Sequence, residues 1–124
     1  MIGIRSIAFT SYPVTDLARS RVFYEGILGL KWETGHERDG TGFAEYEIAG
    51  GFFSILTGVP GWRPSDHGPG IAFEVDDFDK AIATLHEHGV EFAMEPFSTP
   101  VCRMALIFDP DRNSVIIHKL NSLS

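Results

Sequence analysis

Apolar and polar positions along this chain run through the same sequence of rhythms twice. Two short strand-like runs, Ile7-Ala8-Phe9 and Ile71-Ala72-Phe73, each lead to a valine and then an aspartate: Val14 and Asp16, then Val75 and Asp77. Behind each aspartate the apolar period lengthens to that of a helix. Phe78, Ile82 and Leu85 fall at i, i+4 and i+7, with Asp77 placed to accept the free N–H groups of the first turn and Gly89 to close the last. The first helix has Asp16 as its cap, Leu17, Tyr24 and Leu28 on one stripe with Phe23 and Ile27 beside it, and Gly26 and Gly29 at its end.

After each helix the pattern predicts three strands. In the first copy they are about Leu30–Thr34, Gly42–Ala49 and Phe52–Thr57, with Gly50-Gly51 as a tight turn between the last two. In the second they are about Glu91–Phe97, Val101–Phe108 and Ser114–Leu120, and Asp109-Pro110-Asp111 makes the turn. Each copy is therefore a βαβββ unit. The offset between copies drifts from 64 residues at Ile7 and Ile71 to 60 at Gly29 and Gly89, and a three-residue insertion carrying Tyr12-Pro13 is the expected cause.

The expected class is α+β: two tandem βαβββ modules forming a cup-shaped mixed sheet with helices on the outer face. Module one covers about residues 1–57, a Pro- and Gly-rich linker about 58–69, and module two about 70–120, all in a single domain. One helix cannot cover both faces of a four-stranded sheet, so two such sheets are expected to face each other, within a chain or between chains.

Composition narrows the partners. The chain has 124 residues, enough for one core, with 44% apolar and 22% charged residues as in ordinary globular proteins. A formal net charge of −7 opposes nucleic acid and anionic membrane, since both need clustered Lys and Arg. No apolar run reaches the roughly 20 residues of a membrane helix, and the opening Met-Ile-Gly-Ile-Arg carries no secretory pattern, so a cytoplasmic address is expected. Cys102 is the sole cysteine, which excludes an internal disulfide and a thiolate-rich zinc site.

Three motifs in order carry a family resemblance. They are Val14-Thr15-Asp16-Leu17-Ala18-Arg19-Ser20 with Phe23-Tyr24-Glu25-Gly26-Ile27-Leu28-Gly29-Leu30, then Gly70-Ile71-Ala72-Phe73-Glu74-Val75-Asp76-Asp77, then Asp109-Pro110-Asp111-Arg112-Asn113. Together they resemble the first helix, fifth strand and final turn of the vicinal oxygen chelate superfamily. It groups glyoxalases, extradiol dioxygenases, epimerases, fosfomycin resistance enzymes and bleomycin resistance proteins. Arg112 stands where the family's turn usually has glycine.

The resemblance implies a divalent metal held by His or Glu from the first, fourth, fifth and eighth strands. Here those places carry Ser6, a choice among Phe52, Phe53, Ser54, Ile55 and Leu56, then Gly70, then Ile116. A transition-metal site needs about three imidazole, carboxylate or thiolate donors, so no metal and no other cofactor is expected. The alternative is a relocated metal site. His118 shares a strand face with Ile116, and Glu45 and Glu47 share one face of their strand, so two carboxylates and one imidazole could bind a metal if that face is also the cup and the strands bring them together.

Ser6, Ala8, Gly70 and Ala72 are small and lie at cup-facing positions, opposite in parity to Ile7, Phe9, Ile71 and Phe73, which are expected in the core. Trp62 and His67 lie in the linker, where a loop can cover a site. Arg103 stands between Cys102 and Met104, in place to grip an anion or to pair with Glu45 or Glu47. His86 and His88 point to different helix faces, and His36 falls in a charged, exposed stretch.

A metal-independent protein that binds a small organic molecule between its sheets is the expected function, with Ser6, Ala8, Glu45, Glu47, Trp62, Gly70, Arg103, Ile116 and His118 as ligand contacts. The guest is expected to be cationic or planar, and the resemblance implies a homodimer. The alternative is a metal-dependent or acid/base lyase, isomerase or dioxygenase of the same superfamily, with Glu45, Glu47 or His118 as the catalytic groups.

Overall fold

A computed structural model describes residues 1–122. The chain divides into two units, Met1–Arg63 and a second that begins at Pro64, so the boundary falls inside the proline-rich stretch. Each unit is a four-stranded mixed sheet with one helical segment.

In the first unit, β1 (Thr10–Pro13) is followed by α1 (Leu17–Arg21), which continues as wider π-type turns over Val22–Ile27. Then come β2 (Trp32–Arg38), β3 (Thr41–Ile48) and β4 (Gly51–Leu56), and the sheet order is β1-β4-β3-β2. The second unit repeats this with β5 (Ile71–Glu74), α2 (Phe78–Glu87), β6 (Phe92–Ser98), β7 (Cys102–Phe108) and β8 (Ser114–Leu120), in the order β5-β8-β7-β6. Both units are thus βαβββ, as the duplicated pattern predicts. In each, the first strand pairs parallel with the fourth and the remaining pairs are antiparallel.

The helix starts follow from their aspartates. Asp16 accepts from Arg19 N at 3.2 Å and Asp77 from Lys80 N at 3.1 Å, each satisfying one N–H group that a first turn leaves free. Leu17, Phe23 and Tyr24 bury the first helical segment against Tyr12, Tyr46, Phe53 and Ile55. Phe78, Ile82 and Leu85 do the same for α2 in the second unit, whose sheet contributes Ala105, Ile107, Val115 and Ile117 to the core.

The first strand is where the structure departs most from the sequence pattern. Ile7-Ala8-Phe9 lies outside any strand, and Ile7 and Phe9 are 87% and 58% exposed instead of buried. The cause is the length of the partner. β4 begins at Gly51, so the parallel register Thr10↔Phe53 leaves only its first two residues, Phe52 and Gly51, for Phe9 and Ala8, and none for Ile7. Tyr12 and Val14 occupy the core instead.

The repeat is correspondingly different. Val14 N donates to Leu56 O and Val75 N to His118 O, both at 2.9 Å, which makes Pro13 the counterpart of Glu74 and Tyr12 that of Phe73. Tyr12-Pro13 is therefore no insertion, and the resemblance of the two Ile-Ala-Phe runs is coincidental in structure. One extra residue sits in the first helical segment. Leu30 N reaches back six residues to Tyr24 O, whereas Val90 N reaches back five to Leu85 O, and the π-type turns absorb the difference.

Two hairpins also differ from expectation. Asp39-Gly40, both with positive φ, forms a two-residue loop that lets β2 extend through the charged stretch to Arg38. The turn before β4 is Ala49-Gly50 instead of Gly50-Gly51, again with both φ positive. Arg112 takes φ 66°, the conformation its family glycine position demands, and its guanidinium bonds Glu91 at 2.6 Å and lies 4.1 Å from the Phe108 ring centroid.

A polar group is built into the packing of the first helical segment. The fully buried Tyr46 donates its hydroxyl to Glu25 at 2.8 Å, and Arg21 binds Glu25 at 2.7 and 3.2 Å while stacking over Trp32. Burial, followed by the Glu25 hydrogen bond, raises the Tyr46 phenol. Burial alone would raise the Glu25 carboxyl as well, but the bonds from Arg21 and Tyr46 outweigh it and hold the carboxyl below its ordinary range. A carboxyl lowered by folding adds stability that is complete above its unfolded value and drains away as pH falls through the folded one. Urea unfolding followed from neutral pH down to about pH 3 should therefore show a shallower acid loss for Glu25→Gln than for the unaltered chain.

No helix among the described residues is long and apolar enough to cross a membrane.

Candidate functional site

Register and burial divide each sheet into a helix-covered face and an open face. In the first unit Tyr12, Tyr46, Phe53 and Ile55 face the helix, so the alternate residues Ser11, Pro13, Phe43, Glu45, Glu47, Phe52, Ser54 and Leu56 lie on the other side. Glu45 stands opposite Ser54 and Glu47 opposite Phe52. The hydroxyls of Ser11 and Ser54 bond each other.

In the second unit the open face carries Ala72 opposite Ile116, Leu106 opposite the same Ile116, and Met104 opposite both His118 and Phe97. Glu74 stands opposite His118 in the parallel pair β5–β8, and its Oε1 bonds His118 Nδ1. The other carboxylate oxygen, Oε2, accepts from Leu120 N at 2.7 Å. These two bonds, that from Leu120 first, hold the Glu74 carboxyl below its ordinary range.

The remaining candidates are spread more widely. Ser6 and Ala8 are exposed and outside the sheet, so neither lines a strand face as expected. Carried on, the parallel register would set Ala8 against Gly51, the first residue of β4, and Ser6 against Ala49 in the turn before it. Gly70 precedes β5 and lies against Ile116: a Cβ added to it would stand 3.3 Å from Ile116 Cδ1. Trp62 is 48% exposed in a turn closed by its own N–H to Val59 O at 3.1 Å.

His67 bonds its neighbour Asp66, whose second oxygen faces Arg112 at 3.4 Å. The bond from His67, then that from Arg112, lowers the Asp66 carboxyl. Arg103 is on the helix side of β7, bonded to Asp79 at 2.9 Å with its guanidinium 4.5 Å from the Phe78 ring centroid. Strand parity turns it to the other face of the sheet from Met104 and His118, and its carboxylate partner is Asp79.

The residues do not fit the family's metal. With the two units aligned by their shared hydrogen bonds, the counterpart of Gly70 is Phe9, not Ser6, and the counterpart of Ile116 is Ser54. The four positions thus hold a phenyl ring, a serine hydroxyl already bonded to Ser11, a glycine and an isoleucine. None is an imidazole, carboxylate or thiolate. Among the described residues no three His, Cys, Asp or Glu side chains are grouped so as to hold an ion. Glu45 and Glu47 belong to the first unit and His118 to the second, where its carboxylate partner is Glu74.

Glu74 is the candidate that sequence reasoning passed over. Its alternation with Phe73 already placed it on the open face, but nothing in the sequence pointed to its distant partner.

Comparison with known proteins agrees with this architecture. The family description "Glyoxalase/Bleomycin resistance protein/Dioxygenase superfamily" matches residues 6–117. The uncharacterized protein YwkD of Bacillus subtilis (strain 168) is 32% identical over 120 residues, which is 88% of this chain and 92% of that protein. Among solved structures, TnmS3, an antibiotic binding protein from Streptomyces sp. CB03234, superposes with a TM-score of 0.79 at 24% identity, covering 98% of this chain and 100% of that one. The fosfomycin resistance protein FosX from Mesorhizobium loti gives 0.71 at 21% identity, covering 98% and 96%.

Proposed function

The chain belongs to the glyoxalase, bleomycin resistance protein and dioxygenase superfamily, and from that premise we propose that it binds a small organic molecule without the aid of a divalent metal. The observation that carries this is the set Phe9, Ser54, Gly70 and Ile116 at the positions from which the family's ligands would come. A Lewis acid needs donors that those side chains lack.

What the open faces offer instead is apolar surface with a few polar groups. Phe43, Phe52 and Leu56 accompany Glu45 and Glu47 in one unit, and Phe97, Met104, Leu106 and Ile116 accompany Glu74 and His118 in the other. Such a mixture suits a guest with a planar apolar body, and the carboxylates together with a net charge of −7 favour a cationic one. The description of TnmS3 as an antibiotic binding protein supports the same use of the fold.

Calorimetric titration of chelator-treated protein with Zn, Ni, Mn and ferrous ions is expected to show no tight, stoichiometric uptake. Submicromolar binding of one such ion per chain would end the metal-free reading. A screen of cationic and planar compounds by thermal shift should meanwhile return ligands whose stabilisation is indifferent to chelator.

A further inference from the structure

The pair formed by Glu74 and His118 is more organised than a surface ion pair. Both oxygens of Glu74 are engaged, Oε1 by the imidazole and Oε2 by the Leu120 N–H, so the second bond holds the carboxylate beside the ring. An ionised carboxylate can only accept, and Nδ1 must therefore be the donor. In the neutral ring the lone pair is then on Nε2, which makes no hydrogen bond among the described residues. The His118 side chain is 25% exposed, so it is neither sealed nor freely solvated.

Its neighbours complete the arrangement. Met104 lies opposite His118, Phe97 opposite Met104, and Ile116 two residues along the same strand face with Leu106 and Ala72 on either side. An oriented base thus rises from an apolar floor on which a flat molecule can rest. The pair His86–Glu95, at 3.3 Å, offers a contrast: it belongs to the helix side, and among the described residues its carboxylate has no second hydrogen-bond anchor.

We propose that His118 is a general base, positioned by Glu74, that accepts a proton at Nε2 from a planar, largely apolar carbon acid lying on the open face of the second sheet. That role rests on the small-molecule reading of this face and extends it from binding to proton transfer. Glu74 is a positioning residue, since it acts through the ring.

The probe is 5-nitrobenzisoxazole, a flat molecule whose ring opens when a base removes the proton on C3. The Nε2 lone pair takes that proton, the C–H electron pair becomes the third bond of a nitrile, the N–O bond breaks, and its electrons go to the phenolate oxygen. Atoms and electrons balance without oxidant or reductant. Product is read as phenolate absorbance, and occupancy separately by methyl NMR shifts of Met104, Leu106 and Ile116.

The expected result is saturable turnover that falls about 100-fold in kcat/KM with His118→Ala. Glu74→Gln should lower kcat roughly tenfold with KM unchanged, a split that a merely structural role would not produce. His86→Ala should leave the rate as it was. Should an alanine variant fail to fold by its methyl spectrum, His118→Gln supplies the same comparison. Saturating methyl shifts with no turnover above that of free imidazole would overturn the base while leaving the binding reading intact. No methyl shift at all would remove both.

Discussion

Asp109→Ala is expected to cost about 3 kcal/mol and to lower the thermal midpoint by roughly 10 °C. The carboxylate is buried and accepts from Asp111 N at 2.9 Å, Asn113 N at 2.8 Å and Asn113 Nδ2 at 2.9 Å. Alanine would leave those donors without their acceptor, and Asn113 is itself buried. Bonds to an ionised acceptor are worth more than neutral ones, and a buried donor left unpaired costs more than the mean bond.

The same loop sets the register of β8, since Phe108 pairs with Ser114 immediately beyond it. Loosening it should therefore also blur the alignment of His118 with Glu74. Asp109→Asn retains one acceptor oxygen and should lose about half as much. Differential scanning calorimetry of the three proteins tests this, and an alanine variant that melts within a degree or two of the parent would refute it.

The second large effect lies in the first unit. Gly42→Ala is expected to destabilise by at least about 3 kcal/mol, because the new methyl adds a collision to backbone strain. Gly42 has φ 128°, and a Cβ there would stand 2.0 Å from His36 O and 2.9 Å from His36 Nδ1. Both obstacles belong to β2, and its carbonyl cannot retreat without opening the ladder that aligns Ala44 with Gly35.

Gly50→Ala separates the two causes. Gly50 has φ 87° but open space around its missing Cβ, so only the conformational penalty of about 1 kcal/mol applies. Equal destabilisation of the two variants in urea would show that the steric account of Gly42 is wrong. Because β3 carries Glu45 and Glu47, a shift of its register would also turn those carboxylates from the open face.

Much of the fold was legible because it rests on local chemistry. Asp16 and Asp77 announce their helices by capping, and the stripe Phe78, Ile82 and Leu85 announces which face is buried. The Asp-Pro-Asp turn marks the last hairpin for a similar reason, since Asp109 bonds residues only two and four positions ahead. Asp39-Gly40 was equally local, and the charges around it obscured a turn signal that was there to be used.

The candidate site was less legible because its parts are defined by pairing. Ile116 and His118 share a face by alternation alone, and the structure keeps them there. Arg103 has the sequence surroundings of a buried anchor, yet parity turns it toward Asp79 and Phe78. Ser6 and Ala8 were placed by a three-residue likeness between two runs, and such a likeness carries no information about how long the neighbouring strand is.

By itself, then, the sequence determined the element types, the duplication and the absence of strong metal donors at the family's positions, since each depends on residues near in the chain or on side-chain identity alone. Tertiary structure decided where β1 starts, that the repeat equates Phe9 with Gly70, and that Glu74 meets His118 across 44 residues. The physical reason is that strand pairing is a contact between distant segments. A backbone N–H can donate to a carbonyl of any strand, and only the hairpin lengths and the packed helix select the register in which the two sides meet.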